Sequence, residues 1–402
     1  MKIAYRFTVL LAILAMGATA EGRADLAELP GVAGGQVRGL VVHLGTSDGK
    51  LELQLAASGK ALVHGLAVDT AGAHRARQAI ARAGLYGVAS AETWAGGELP
   101  YGDQLVNLLI ADLDALGEWA PRREEILRVL APGGAACLRT GGAWQRTTKP
   151  FPAEMDDWRY YLHDPSGNPV SRDRLVGPAT TLRWINSYAA VGGSTEGGTG
   201  YRIADGLAFH HLQLARKGAS GPLVARDALN GLPLWRREST NMSSRAEMVA
   251  KDGKLFALVP DGKQDRYSAL DEKTGEILKV YDRVSFAGVS GKQVRAMHMG
   301  GLIVLTNGTE TLTALDEATG EVRWTFRDSD SRPFFPVLDA DHKRLFVALA
   351  QPKPGYEVEH WSRWPGVVAE AIVALDAATG KTLWRNTDLR GRIVGQLLID
   401  GD

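Results

Sequence analysis

The sequence contains very little cysteine and no excess of charge of either sign. Cys137 is the only cysteine among 402 residues, so an internal disulfide is excluded and packing must stabilise the fold. Lysine and arginine number 46, as do aspartate and glutamate, and the formal net charge is zero. Because no block of basic residues stands out, the composition argues against nucleic acid as a partner.

Long apolar runs are also scarce. The most prominent one, at residues 7–16, follows Lys2 and Arg6 and is followed by small residues that end at Ala20. A basic start, a short apolar stretch and a small-residue end predict a secretory signal peptide over residues 1–20, with a retained anchor as the alternative. The run is short for a permanent membrane span. We therefore expect an exported chain, periplasmic or extracellular, without a permanent membrane span.

A seven-residue phrase occurs four times in the second half of the chain. Each copy reads Ala-x-Asp-x-x-(Thr/Asn)-Gly, and its aspartate stands at position 227, 271, 316 or 376. The phrase predicts a β-hairpin in which the aspartate caps the turn and the glycine adopts a positive φ. The first three copies are 44 and 45 residues apart, a spacing typical of a four-stranded propeller blade.

A tryptophan follows the glycine by four residues in three copies, at Trp235, Trp324 and Trp384, whereas Lys279 stands there in the second copy. With this pattern, the repeat resembles the PQQ-like β-propeller repeat, in which that tryptophan packs against the neighbouring blade. The resemblance implies an all-β propeller over residues 179–402. Since four such blades rarely close a ring, we expect an incomplete ring, and we interpret residues 351–366 as a loop insertion.

The resemblance to this repeat does not by itself imply a quinone cofactor. In quinoprotein dehydrogenases of this fold, the quinone lies over a disulfide between adjacent cysteines, and this chain has only Cys137. Fold alone does not confer chemistry, so we expect no PQQ. A quinone-dependent oxidoreductase is the least favoured function.

Residues 25–145 show a different pattern, in which short apolar runs alternate with segments rich in alanine, arginine and glutamate. Strands are predicted at 39–44, 61–68, 105–111 and 135–139, and helices at 50–57, 70–83 and 122–130. This alternation predicts a parallel, doubly wound sheet. The expected fold is therefore multidomain, with a Rossmann-like α/β domain followed by the propeller.

Two stretches of this first domain, the turn at 45–49 and the segment at 125–134, resemble class I methyltransferases that bind S-adenosylmethionine. The resemblance implies that Gly45, Ser47 and Gly49 approach the methionine part of the cofactor. It also implies a carboxylate near the end of the second strand that binds the ribose hydroxyls, for which Asp69 is the candidate.

Three positions depart from the pattern of that family. His43 stands where the family has an acid, Ser47 where it has a glycine, and Ala67 where the ribose-binding acid is expected. We therefore interpret the domain as a degenerate relative that keeps the fold. The alternative is a functional site in which Gly45, Ser47, Gly49 and Asp69 hold S-adenosylmethionine.

The segment at 146–178 is predicted to be a linker whose aromatic and acidic residues dock one domain on the other. His163 with Asp164, and His210 with His211, are candidate metal or acid–base groups. Neighbouring strand residues face opposite sides, and packed histidines are the more common outcome, so we predict no metal site. Asp48, Asp69 and Asp112 are candidates for an acidic rim of the sheet or for helix caps.

The whole architecture resembles exported bacterial proteins, prominent in planctomycetes, that join a methyltransferase-like domain to PQQ-like repeats through a Trp-x-x-Tyr-Leu-His-Asp segment. We predict a binding or scaffold protein whose propeller presents a face to a protein, peptide or glycan. The alternative is an S-adenosylmethionine-dependent methyltransferase whose propeller recruits the substrate. Retention of S-adenosylmethionine distinguishes these two functions.

Overall fold

The structure is a computed structural model that covers most of both predicted domains. It describes residues 37–178, 182–184, 201–213, 220–238, 248–261, 264–286, 294–307, 311–329, 331–338, 343–352, 367–391, 397 and 399. The predicted signal peptide lies outside the described residues, as does the predicted insertion apart from Gln351 and Pro352. Within the described part of the chain, no helix is long and apolar enough to cross a membrane.

The first domain is a six-stranded sheet with helices on both faces. Its elements are β1 (Gly39–Leu44), α1 (Lys50–Ala56), β2 (Ala61–Ala67), α2 (Thr70–Arg82), β3 (Ala89–Thr93), β4 (Val106–Asp112), α3 (Leu113–Leu116), α4 (Arg123–Val129), β5 (Leu130–Thr140) and β6 (Ala143–Thr148). The strand order is β3-β2-β1-β4-β5-β6; the first five strands are parallel, and β6 is antiparallel to β5. The predicted doubly wound α/β fold is confirmed.

Strand alternation divides the core of this sheet into two layers. Val41 belongs to a cluster with Ala76 and Ile80 of α2, whereas its neighbour Val42 belongs to a cluster with Val129 of α4. All five of these side chains are fully buried. Successive strand residues point to opposite faces, so an uninterrupted apolar strand requires a helix layer on each side.

The second half of the chain forms four antiparallel sheets, each of four strands. Blade 1 contains β7 (Arg202–Ala204), β8 (Leu207–Gln213), β9 (Ser220–Asp227) and β10 (Pro233–Arg237). Blade 2 contains β11 (Met248–Lys251), β12 (Lys254–Asp261), β13 (Gln264–Asp271) and β14 (Ile277–Tyr281). Blade 3 contains β15 (Val294–Met299), β16 (Leu302–Asn307), β17 (Thr311–Asp316) and β18 (Val322–Arg327). Blade 4 contains β19 (Arg332–Leu338), β20 (Arg344–Pro352), β21 (Val367–Asp376) and β22 (Thr382–Asn386).

The repeated phrase forms the turn between the third and fourth strands of each blade. In blade 2, Asp271 Oδ1 accepts hydrogen bonds from Lys273 N (2.9 Å) and Thr274 N (2.8 Å). Gly275 then adopts a φ of +72°, a conformation that favours glycine. The turn chemistry predicted from the sequence is therefore present, and it fixes the register of the outer hairpin.

The tryptophans connect successive blades, as the repeat predicts. Trp235 of blade 1 donates its indole N–H to Glu272 O of blade 2 (2.8 Å), and Trp324 of blade 3 donates to Ala377 O of blade 4 (3.1 Å). A Cβ built on Gly275 would lie 2.6 Å from the Trp235 ring. The glycine is thus required twice, for its backbone conformation and because the indole lies directly against it.

The arrangement varies at two places along the chain. Where blade 2 lacks the tryptophan, Tyr281 donates its hydroxyl to Glu317 O of blade 3 (2.9 Å) and Lys279 bonds Ala318 O. Before blade 1, Trp184 lies against Gly231 and donates to Ala228 O (3.2 Å). Sequence reasoning missed Trp184, because no copy of the phrase precedes it.

The predicted linker docks on the blades. Trp158 and Ile203 of β7 exchange two backbone hydrogen bonds, of 2.7 and 2.9 Å. Tyr160 is buried in the core shared by blades 2 and 3, and its hydroxyl donates to His298 O (3.4 Å). The aromatic residues of this segment therefore hold it against the propeller side of the molecule.

Candidate functional site

The glycine turn of the first domain lies at the carboxyl end of the parallel sheet. Gly45 and Gly49 have φ values of +90° and +77°, and a Cβ on Gly49 would lie 2.9 Å from Ala76 O. Gly45 N and Thr46 N both donate to Leu66 O, at 2.7 and 3.1 Å. The turn is therefore attached to the end of β2 and packed against α2: the positive φ favours glycine at both positions, and the contact with α2 also requires it at Gly49.

A buried carboxylate lies below this turn, although the family's acid is absent from β1. Glu52 of α1 is 1% exposed, and its Oε1 lies 2.6 Å from His43 Nδ1. Burial alone would raise the pKa of Glu52, but the charge and hydrogen bond of His43 hold that pKa below its usual range. Gly65 makes room for the pair, since a Cβ there would lie 2.5 Å from Glu52 Oε1. Sequence reasoning missed Glu52; its signal was a carboxylate on the apolar face of α1.

The candidate residues Gly45, Ser47, Gly49 and Asp69 come to one edge of the sheet. Asp69 is exposed and caps α2, with its Oδ1 accepting from Gly72 N at 2.7 Å. Ser47 is also exposed, and its carbonyl accepts from Arg75 Nε at 3.2 Å. The second carboxylate oxygen of Asp69 accepts no hydrogen bond from any described residue. It therefore has capacity for another donor, such as a ribose hydroxyl.

The other carboxylates of the predicted rim have structural partners. Asp48 lies 2.7 Å from the Lys50 ammonium and accepts from Lys50 N. Asp112 caps α3 through Ala115 N (3.0 Å) and pairs with Arg139 (2.9 Å). Capping and ion pairing thus account for both side chains, whereas Ala67 is fully buried in the core.

The candidate histidines are buried. His163 Nε2 lies 2.6 Å from Asp156 Oδ2, and its Nδ1 lies 3.4 Å from Asp164. Burial lowers the pKa of His210 to about 4 and that of His211 to about 3, so both are neutral at pH 7. Within the described ranges, no group of three or more histidine, cysteine or carboxylate side chains is arranged to hold a metal ion.

The opposite, amino-terminal edge of the sheet is bonded to blade 1. Asn107, in β4, donates to Asp227 Oδ2 (2.7 Å). Asn230 of the first phrase donates to Leu105 O (2.9 Å) and to Asn107 Oδ1 (2.8 Å), which also accepts from Leu40 N. Asn230 also accepts from Leu232 N, as threonine does in the other phrases. Asparagine thus keeps the turn and adds two hydrogen bonds to the α/β domain.

A cavity of about 510 Å³ lies beside this junction. One wall comes from the start of β1, β4 and β5, and the other comes from blades 1 and 2, while Phe151 and Arg159 of the segment between the domains also line it. The charged residues of the lining are Arg38, Arg159, Asp205, Asp227, Lys251, Asp252, Glu272 and Lys273. The volume is within the range of small-ligand sites. Sequence reasoning did not identify this cavity, because its walls come from two domains.

A known protein family matches the repeats in the second half of the chain. Residues 160–332 match the family described as outer membrane protein assembly factor BamB. No curated protein matches the sequence. Because the family match covers less than half of the chain, it concerns the repeats and not the whole protein.

Solved structures are similar in fold to each half. Quinohemoprotein alcohol dehydrogenase from Comamonas testosteroni is 17% identical, with a TM-score of 0.40, over 60% of this chain and 42% of that chain. Its counterpart ADHIIG from Pseudomonas putida HK5 is 16% identical over 58% and 40%, with a TM-score of 0.39. The chain thus spans less than half the length of these dehydrogenases.

The first domain has its own structural neighbours. A SAM-dependent methyltransferase from Aquifex aeolicus is 18% identical, with a TM-score of 0.25, over 28% of this chain and 62% of that chain. At this identity the likeness concerns the fold alone. The described residues thus form a six-stranded α/β sheet followed by four four-stranded antiparallel sheets, and the family match falls on the latter part.

Proposed function

We propose that this chain is an exported binding or scaffold protein. Its propeller region, residues 179–402, presents a face to a protein, peptide or glycan, and the α/β domain at 25–145 supports it. The family matched by the blades is described as an assembly factor, which agrees with a binding role. Export rests on the predicted signal peptide over residues 1–20.

The observation that carries this proposal is the placement of the two edges of the α/β sheet. The junction with blade 1, through Asn107 and Asn230, occupies the amino-terminal edge. The glycine turn and Asp69 occupy the carboxyl edge, one strand length away, which is roughly 20 Å for six residues. A substrate held by blade 1 near the junction therefore lies far from a cofactor at the turn, which favours a supporting role for the α/β domain.

The second candidate is an S-adenosylmethionine-dependent methyltransferase. It is favoured by the two positive-φ glycines of the turn and by the free oxygen of Asp69 at the same edge. If the cofactor bound, Gly45 and Gly49 would let the backbone approach it, and Asp69 would accept hydrogen bonds from its ribose hydroxyls. This arrangement requires a methyl acceptor that reaches the carboxyl edge of the sheet directly.

Calorimetric titration of the chain from Glu21 onward with S-adenosylmethionine and S-adenosylhomocysteine tests the proposal. We expect no saturable heat and no thermal stabilisation from either compound. Micromolar binding that is lost in Asp69→Ala and kept in Asp48→Ala would instead establish the methyltransferase function. Asp48→Ala is the matched control, because it removes a carboxylate of the same edge whose partner is Lys50.

A further inference from the structure

The position after the turn aspartate has the same backbone role in all four blades. The N–H of this residue donates to a backbone carbonyl that lies earlier in the same blade. Its own carbonyl accepts the hydrogen bond of the tryptophan or tyrosine that docks from the preceding part of the chain. Alanine occupies the position in blades 1 and 4, as Ala228 and Ala377, whereas Glu272 and Glu317 occupy it in blades 2 and 3. The repeat therefore does not require a carboxylate here.

The two glutamates have opposite surroundings. Glu317 lies 3.3 Å from Lys251 Nζ and 3.5 Å from His298 Nδ1, and these two groups lower its pKa to about 2. Glu272 is 3% exposed, and its Oε2 has no hydrogen-bond partner among the described residues. Burial raises the pKa of Glu272 to about 7. A buried carboxylate oxygen without a partner destabilises the fold, so its presence where alanine suffices indicates a role other than folding.

Glu272 lines the cavity between the domains, and Arg38 lines the same cavity from the α/β side. No ion pair or hydrogen bond joins the Arg38 guanidinium to another residue that the structure describes. Desolvation lowers the pKa of Arg38, while the charges of Asp227 and Glu272 act on it from a distance. The two walls thus present one carboxyl group and one guanidinium group that do not reach each other.

Most of the remaining charges of the lining have partners within the protein. Arg159 pairs with Asp157 (2.5 Å) and Asp205 (3.3 Å), and Lys251 pairs with Asp252 (3.1 Å). Asp227 accepts from Asn107 and from two backbone N–H groups of its own turn. Lys273 is exposed to solvent. Glu272 and Arg38 are therefore the groups for which a ligand would supply the ionic partners.

We propose that this interdomain cavity binds a small zwitterion, a free amino acid or a peptide of up to three residues. Its ammonium group pairs with Glu272 and its carboxylate with Arg38. Phe151, Leu207 and Leu234 supply apolar surface for the body of the ligand. The volume of about 510 Å³ accommodates molecules of this size.

Calorimetric titration of the mature chain with L-leucine, L-lysine, L-alanyl-L-alanine and trialanine tests the proposal. We expect at least one of these probes to bind, and its N-acetyl and carboxamide derivatives, which lack one charge each, to bind more weakly by roughly tenfold or more. The result does not depend on S-adenosylmethionine or on the propeller's macromolecular partner, so its failure is distinguishable from failure of the proposed function.

Variants locate the site. Glu272→Gln and Arg38→Gln should each weaken binding of the probe by roughly tenfold or more, because each removes one of the two ionic contacts. Glu276→Gln is the matched control: it removes an exposed carboxylate on the same hairpin, and we expect affinity to change less than about twofold. Binding of none of the four probes would overturn the proposal. Equal affinity in wild type and a folded Glu272→Gln variant would also overturn it.

Discussion

Two glycines at equivalent turn positions should respond differently to the same substitution. Gly275 and Gly320 have φ values of +72° and +83°, so alanine is strained at both. A Cβ on Gly275 would lie 2.6 Å from the Trp235 ring, whereas on Gly320 the nearest atom is Cε of Lys279, at 3.4 Å. The backbone cost is therefore shared, and the steric cost falls on Gly275 alone.

The structure gives the magnitude of this difference. Placing alanine in the left-handed region lowers the free energy of unfolding by about 1–2 kcal/mol. Because alanine also reduces the conformational entropy of the unfolded chain, up to about 1 kcal/mol of this loss is offset. Gly275→Ala must also displace the Trp235 indole, which removes its hydrogen bond to Glu272 O, worth about 1 kcal/mol, and part of its aromatic packing. We expect Gly275→Ala to be more destabilising than Gly320→Ala by about 2 kcal/mol.

Equilibrium urea unfolding of the two variants, followed by tryptophan fluorescence, measures this difference. Gly380→Ala serves as a replicate of Gly275→Ala, because its Cβ would lie 2.6 Å from Trp324. If all three variants lose the same stability, the indole does not lie against the turn glycine, and docking of the tryptophan on the next blade is refuted. A double-mutant cycle with Trp235→Leu isolates the contact, since most of the extra cost should disappear in that background.

Burial lowers the pKa of His210 and His211 to about 4 and 3 from an ordinary 6.5, so the unfolded chain binds protons first as pH falls. The free energy of unfolding should therefore decline below pH 6.5, by about 1 kcal/mol per pH unit for each histidine. Urea titrations that give the same free energy of unfolding at every pH down to 4 contradict this. For Glu272, whose folded pKa is raised to about 7 from 4.5, stability is lost as pH rises through 7. Glu272→Gln should thus raise the melting temperature at pH 8 and not below pH 4.5, and an unchanged melting temperature at pH 8 is the opposing result. Asp69→Ala removes a helix cap and should lower the free energy of unfolding by about 1 kcal/mol in urea titrations; an unchanged free energy of unfolding counts against the cap.

Local chemistry explains which parts of the fold were predictable. The turn of each blade depends on an aspartate, a threonine or asparagine and a glycine within five residues, so it can be predicted from the local sequence alone. In contrast, β3 and β6 were missed. The sequence of β3 has only small apolar residues, and β6 is a largely exposed edge strand without apolar alternation.

The unpredicted features join residues that are distant in sequence. Asn230 is the departure from threonine in the first phrase, and its reason, two hydrogen bonds to β4 and the residue before it, appears only when the domains are assembled. Glu272 and Glu317 occupy the same position of the repeat, yet Glu317 pairs with Lys251, whereas Glu272 lines the cavity between the domains. The electrostatic environment of such groups depends on tertiary structure.

The claim that the α/β domain is fixed to the first blade as a structural support is tested most directly by differential scanning calorimetry of the chain from Glu21 onward. Asn230→Thr keeps a turn residue used in the other three phrases but removes both hydrogen bonds to the α/β domain. We predict a loss of about 2 kcal/mol and a lower melting temperature of the α/β domain, with Thr274→Asn as the unchanged control. A thermogram of Asn230→Thr identical to that of the wild type would contradict the claim.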